Sequence, residues 1–225
     1  VKTDFKVAWL LEPPGIKNTA SGIHRVQHKF DMILSYLPIE MLGVDKTKFV
    51  CLPSAGSWIQ PQEKHEKTRD VSIIASGKRD TVGHRLRHEI IDMHRDSMDL
   101  YGYGYKPIES KTEGLLPYRF SVIIENEKYP MFFSEKLVDC MLCRTIPIYW
   151  GASKVSEIFD NKGILSFDSK DDVDSFLKNA THDLYTSLSD SIEYNYDVAL
   201  RYARIDDIMH DVILERMNTK LKGNQ

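Results

Sequence analysis

The residues best suited to chemistry lie between Phe120 and Gly151. An apolar run, Phe120-Ser-Val-Ile-Ile-Glu125-Asn126, ends in a carboxylate and a carboxamide. Beyond a variable segment that closes on Phe132, Ser134-Glu135-Lys136 opens a helical pattern reaching Cys143. Ser134 suits an N-cap. A helix starting there would turn free amide groups and the positive end of its dipole toward the preceding loop, which attracts a diphosphate, and Lys136 would add a full charge. Glu135 can accept hydrogen bonds from sugar or ribose hydroxyls, and Glu125 and Asn126 would face the same crevice. A Ser-Glu-Lys start also opens many ordinary helices, so on spacing alone a plain helix start competes with a ligand site.

Two further groups carry charge next to an expected strand end. Lys78-Arg79 and Gly83-His-Arg85-Leu-Arg87-His88 follow the run Val71–Ser76. This local positive charge suits an anionic ligand, since arginine grips phosphate with two parallel bonds. Arg85 and Arg87, two apart on a helix, point away from each other, and the pattern does not choose between them. A solvated helix face is the rival reading, and the better one for Lys78 and Arg79. Glu12 ends the run Phe5–Leu11 and is held by Pro13-Pro14. It could deprotonate an acceptor hydroxyl as a general base, or be a turn carboxylate in water.

Positioning such residues requires an alternation of strands and helices. Short apolar or β-branched runs at Phe30–Tyr36, Lys48–Pro53, Val71–Ser76, Met98–Tyr103, Phe120–Glu125, Thr145–Trp150 and Gly163–Phe167 read as strands. Helical periodicity fills several gaps, at Ile23–Lys29, Arg85–His94, Ser134–Cys143 and Asp172–Leu177. That alternation predicts α/β architecture with parallel sheets covered on both faces and ligands beyond the strands' carboxyl ends. The polar stretch Gln60–Asp70 reads as a linker, giving an N-terminal unit over 1–68 and a larger one over 69–225. A single amphipathic helix is expected over Tyr194–Met217, as a brace.

Composition removes other classes of function. The 225 residues are 42% hydrophobic and 28% charged with a net charge of -3, which excludes a disordered chain and advertises no generic nucleic-acid surface. No apolar run nears the roughly 20 residues that span a bilayer. The chain begins at Val1 with no signal-peptide pattern, and its three cysteines, Cys51, Cys140 and Cys143, cannot form a disulfide framework. A reducing cytoplasmic setting is expected, with peripheral membrane association left open. Cys140-x-x-Cys143 reads as two small buried residues on a helix, not as a metal or redox site. Tyr101-Gly-Tyr-Gly-Tyr105 lacks the rest of a dinucleotide fingerprint. Asp172-Val-Asp174 reads as a helix start, and the eight histidines lack ligand spacing, so no metal is expected.

The ordered set Phe120–Asn126, Phe132-Phe-Ser134-Glu135-Lys136 and Thr145-Ile-Pro147-Ile-Tyr-Trp150-Gly151 resembles the signature of the α1,3/4-fucosyltransferases, glycosyltransferase family 10. The likeness extends loosely over Ser76–Ile91 and to Leu11-Glu12-Pro13-Pro14. The resemblance implies a GT-B architecture with a Rossmann-like C-terminal domain that binds GDP-fucose or a related nucleotide sugar, no metal, and transfer to a glycan acceptor with inversion. It places Asn126, Glu135 and Lys136 on the donor, Lys136 at the diphosphate, and Arg85, ahead of Arg87, as the phosphate-neutralising arginine. Glu125, Phe132 and Ser134 join the donor set, and Glu12 takes the position of the catalytic base. Phe132 stands where the family often has Tyr, which removes one hydroxyl contact. The region before Asp70 is short for a complete acceptor domain, so a non-catalytic nucleotide-sugar or carbohydrate-binding module is the alternative.

Overall fold

The computed structural model describes residues 5–53 and 56–222. Its strands fall into two parallel sheets on either side of the segment before Arg69. The first unit runs β1 (Val7–Leu10), α1 (Ile23–Val26), β2 (Met32–Ser35), α2 (Ile39–Leu42) and β3 (Phe49–Cys51), with strand order β1-β2-β3. Ile33, Leu34 and Met32 of the central strand are completely buried, as a parallel strand covered on both faces requires.

The second unit runs β4 (Arg69–Ile74), α3 (Val82–His94), β5 (Asp99–Tyr101), β6 (Tyr118–Ile124), α4 (Glu135–Leu142), β7 (Ile146–Trp150), β8 (Leu165–Ser166), α5 (Lys170–Asn179), α6 (His182–Ser187), α7 (Ser189–Ala203) and α8 (Ile205–Lys222). Its order is β5-β4-β6-β7-β8, all parallel. The chain leaves β4 in one direction along the sheet to form β5, then crosses back to form β6 on the other side. The crevice opened by that reversal lies at the carboxyl ends of β4 and β6, where open α/β sheets bind ligands. Helix α4 packs on one face through Leu137, Val138 and Met141, and α3 on the other through Ile90 and Ile91.

The expected helix over Tyr194–Met217 is two helices, interrupted at Arg204, whose φ of -105° and ψ of 55° are not helical. Packing explains the break. Helix α7 buries Ala199 against the α4 face, whereas α8 buries Ile205 against Met32, Leu34 and Leu52 of the first sheet. Tyr202, near the end of α7, packs against both cores, and the break follows directly after it. The end of the polar segment before β4 is anchored by a buried lysine. The Lys67 ammonium is buried and donates to the Leu116 carbonyl (2.9 Å), the Cys143 carbonyl (2.6 Å) and Thr145 Oγ1 (2.9 Å). Cys140 and Cys143 are buried, and burial pushes both thiols up, Cys143 to about 12. Asp172 completes a capping box with Ser169 at the start of α5, and Asp174 pairs with Lys178 on the helix surface.

Candidate functional site

The switch-point crevice is a cleft of about 840 Å³, within the range of small-molecule sites. Helix α3 starts against it because position 83 is glycine. A Cβ there would overlap the Glu125 carbonyl oxygen, and the Gly83 amide donates to the Asn126 carbonyl at 3.0 Å. Thr81 caps the helix: its hydroxyl accepts from the His84 amide (3.2 Å), and His84 Nδ1 accepts from the Thr81 amide (3.3 Å). With Nδ1 an acceptor, the ring proton sits on Nε2. Burial, then the nearby Arg87 charge, lowers the His84 pKa to about 4, so the cleft-lining ring is neutral at physiological pH.

One turn further, Arg87 is only 6% exposed yet lines the cleft. It donates through Nη2 to the Ile124 carbonyl (2.5 Å) and weakly to Asn126 Oδ1 (3.4 Å). Burial lowers its pKa, but a guanidinium keeps its proton in proteins. Glu125 and Glu135 favour its charge through space, and among the described residues no carboxylate lies within ion-pair distance of it. A buried guanidinium whose carboxylates act only through space carries a desolvation cost that an anion in direct contact offsets.

Glu125 builds the opposite wall without entering the cleft. It is fully buried, accepting from the Ser134 amide (2.9 Å) and hydroxyl (2.6 Å). Ser134 Oγ in turn accepts from the Lys136 amide (3.3 Å), capping α4, and from Lys136 Nζ (3.0 Å). The strand end thus locks the helix start. Lys136 Nζ also lies 3.7 Å from Glu125 and 3.5 Å from Glu135, so two carboxylates share its charge. Burial alone would push the Glu135 carboxyl up, but Lys136 and Lys111 outweigh it and hold it below its ordinary value. Lys111 bridges Glu135 (3.3 Å) to the buried Asp139 (2.7 Å).

The cleft brings together most of the residues singled out from the sequence. Glu12, Arg87, Asn126, Phe132, Ser134, Glu135 and Lys136 all line it. Phe132, 2% exposed, packs on Tyr36 with ring centroids 4.6 Å apart and the planes tilted by 42°. Glu12 is exposed just after β1, in a turn closed by the Ile16 and Lys17 amides on the Pro13 carbonyl. Two placements differ from expectation. Arg85 is turned away from the cleft toward the carbonyls of Arg79 (3.3 Å) and Asp80 (3.2 Å), because the helix face that meets the sheet is the one carrying Arg87. Glu125, expected to face the crevice, serves the helix cap instead. His84 and Lys111 were not foreseen. The spacing Thr81-x-x-His84 could have signalled a capping box, but Lys111 reaches the site only through tertiary folding. Among the described residues no group of three or more His, Cys, Asp or Glu side chains could hold a metal, and no helix is long and apolar enough to cross a membrane.

No protein-family model matches the chain. Over 78 residues it is 32% identical to the alpha-(1,3)-fucosyltransferase FucT of Helicobacter pylori, an alignment that covers 33% of this chain and 16% of that protein. The chain therefore matches about a sixth of that relative's length. Among solved structures, an alpha1,3-fucosyltransferase with GDP superposes with a TM-score of 0.62 at 17% identity, covering 96% of this chain and 74% of that one. An alpha1,3-fucosyltransferase with GDP-fucose gives 0.58 at 18% identity, covering 82% and 65%. The architecture is GT-B, and over a segment the sequence is similar to fucosyltransferases.

Proposed function

We propose that the chain is a GDP-sugar-dependent glycosyltransferase that moves fucose, or a closely related sugar, onto a hydroxyl of a glycan acceptor with inversion. The observation that carries this reading is Arg87, a buried guanidinium with no carboxylate in direct contact, opening with Lys136 and the amino end of α4 onto one cleft. A diphosphate there would receive Arg87 and Lys136 as counter-charges, the positive end of the α4 dipole, and the neutral His84 Nε2–H as a donor. The segmental similarity to FucT and the fold shared with structures holding GDP and GDP-fucose agree with it.

In the reaction, the acceptor oxygen forms a bond to the anomeric carbon as the bond from that carbon to the diphosphate breaks, with the electron pair leaving on GDP. The hydroxyl proton passes to Glu12. The fixed cations stabilise charge developing on the leaving diphosphate, which lowers the barrier without reorganisation. Protein cations supply this counter-charge, so the reading calls for no metal. Titration calorimetry with GDP, paired with a donor-hydrolysis assay on GDP-fucose, tests it. Micromolar GDP binding with turnover supports the transferase. Binding without turnover supports the non-catalytic module, and absence of GDP binding removes both.

A further inference from the structure

We propose that Trp58 is the platform on which the base of the nucleotide stacks, with Lys111 as the residue that positions it. The proposal rests on the donor-site reading and adds a wall to that site from the segment joining the two sheets.

Trp58 is 75% exposed although it lines the cleft. Leaving an indole in water forgoes the largest apolar burial any side chain offers, yet this one is held in place. Its amide donates to Asp139 Oδ1 at 2.9 Å, and the neighbouring Ser57 hydroxyl donates to the same oxygen at 2.8 Å. Asp139 is completely buried on α4, one turn after Glu135. Lys111 Nζ sits 4.1 Å from the indole centroid while bonding to both Glu135 and Asp139. A cation over one face fixes the ring and leaves the other face to the solvent of the cleft. A rigid aromatic plane with one open face is the arrangement that proteins use to stack bases.

Position selects the base over other ring partners. With a diphosphate against Lys136 and the amino end of α4, the proposal sets the ribose beside Glu135, the carboxylate that Lys111 links to the indole. The next group along the nucleotide meets Trp58. Glu12, Leu11 and Ile16, which would meet an acceptor, come instead from the segment after β1. Tyr103 also lines the cleft and is 87% exposed, but it stands between Gly102 (φ 110°) and Gly104 (φ 92°) with no side-chain hydrogen bond among the described residues, so it lacks the same preorganisation.

Calorimetry with GDP and with inorganic pyrophosphate on wild type, Trp58→Leu and Trp58→Phe tests the assignment, with circular dichroism melts as the check on folding. Trp58→Leu is expected to weaken GDP about tenfold while leaving pyrophosphate affinity unchanged, and Trp58→Phe to retain most of the GDP affinity. Equal GDP affinity in wild type and Trp58→Leu overturns the platform while leaving the donor site standing, as does an equal loss for both ligands. A wild type that binds neither ligand overturns the donor-site reading itself. Should Trp58→Leu melt far below wild type, the Trp58→Phe protein and quenching of indole fluorescence by GDP decide: quenching by pyrophosphate as strong as by GDP also overturns the platform.

Discussion

Two cations beside one cleft are not equivalent, and the difference is measurable. Arg87 is buried with Glu125 and Glu135 acting on it only through space, whereas Lys136 lies 3.7 Å and 3.5 Å from those same carboxylates. In the proposed site a diphosphate would give Arg87 an anion in direct contact but would compete with the existing contacts of Lys136. Arg87→Met is therefore expected to weaken GDP binding about a hundredfold and Lys136→Ala about tenfold, by titration calorimetry, with the apo melting temperature of Lys136→Ala close to wild type. The reverse order would mean that the diphosphate sits on α4 alone. Glu12, exposed on the facing unit, has a separate role in this reading. Glu12→Gln should keep wild-type GDP affinity and slow transfer by at least about a hundredfold; unchanged transfer would return Glu12 to a solvated turn.

The site is built from two helix starts, and each is locked to the carboxyl end of β6 by a different device. Helix α4 is held by the buried Glu125 carboxylate on Ser134, and α3 by the absence of a side chain at Gly83. Gly83 is the second residue of α3, where helix propensity alone favours alanine over glycine. Here the preference is reversed, because a methyl group would strike backbone that cannot move without shifting the strand. Gly83→Ala is expected to lower stability by about 1–3 kcal/mol and to weaken GDP binding, since Arg87 rides on the displaced helix. Chemical denaturation and calorimetry on the same variant check both effects. A stabilised variant would show that the helix start tolerates displacement.

At the scale of the whole molecule, α8 and the Lys67 cluster join parts distant in sequence. Helix α8 returns from the second unit to cover the first sheet through Ile205. Lys67 ties the segment before β4 to carbonyls at the end of α4 and ahead of β6. Burial lowers the Lys67 pKa to about 8 from an ordinary value of 10.5. The sign follows from proton binding. Between those two values the unfolded chain holds the proton more tightly, so this group's contribution to stability rises with pH from about 8 to about 10.5 and is lost as pH falls through 8. In Lys67→Met that contribution disappears. The difference in melting temperature between wild type and variant should shift in favour of wild type as pH is raised across this window, and a constant difference would refute the buried titration.

The sequence by itself determined the local chemistry: which runs are strands, that Ser134 begins a helix, that cations follow β4, and the family resemblance of Phe120–Gly151. These are legible because burial periodicity and capping depend on residues close along the chain. Strand β6 and helix α4 match the expected runs within a residue or two. The tertiary structure decided what pattern cannot carry. Arg85 and Arg87 are alike in type and spacing, and only the packing of α3 on the sheet sends one to solvent and the other to the cleft. Glu125 and Glu135 both suit a sugar hydroxyl, and only the fold commits Glu125 to the cap. Trp58 and Lys111 meet at the site from segments far apart along the chain, and the α7–α8 break falls where the chain passes from one core to the other. Side-chain direction and long-range proximity are properties of the packed molecule, because they follow from which surfaces are buried together and not from neighbours in the chain.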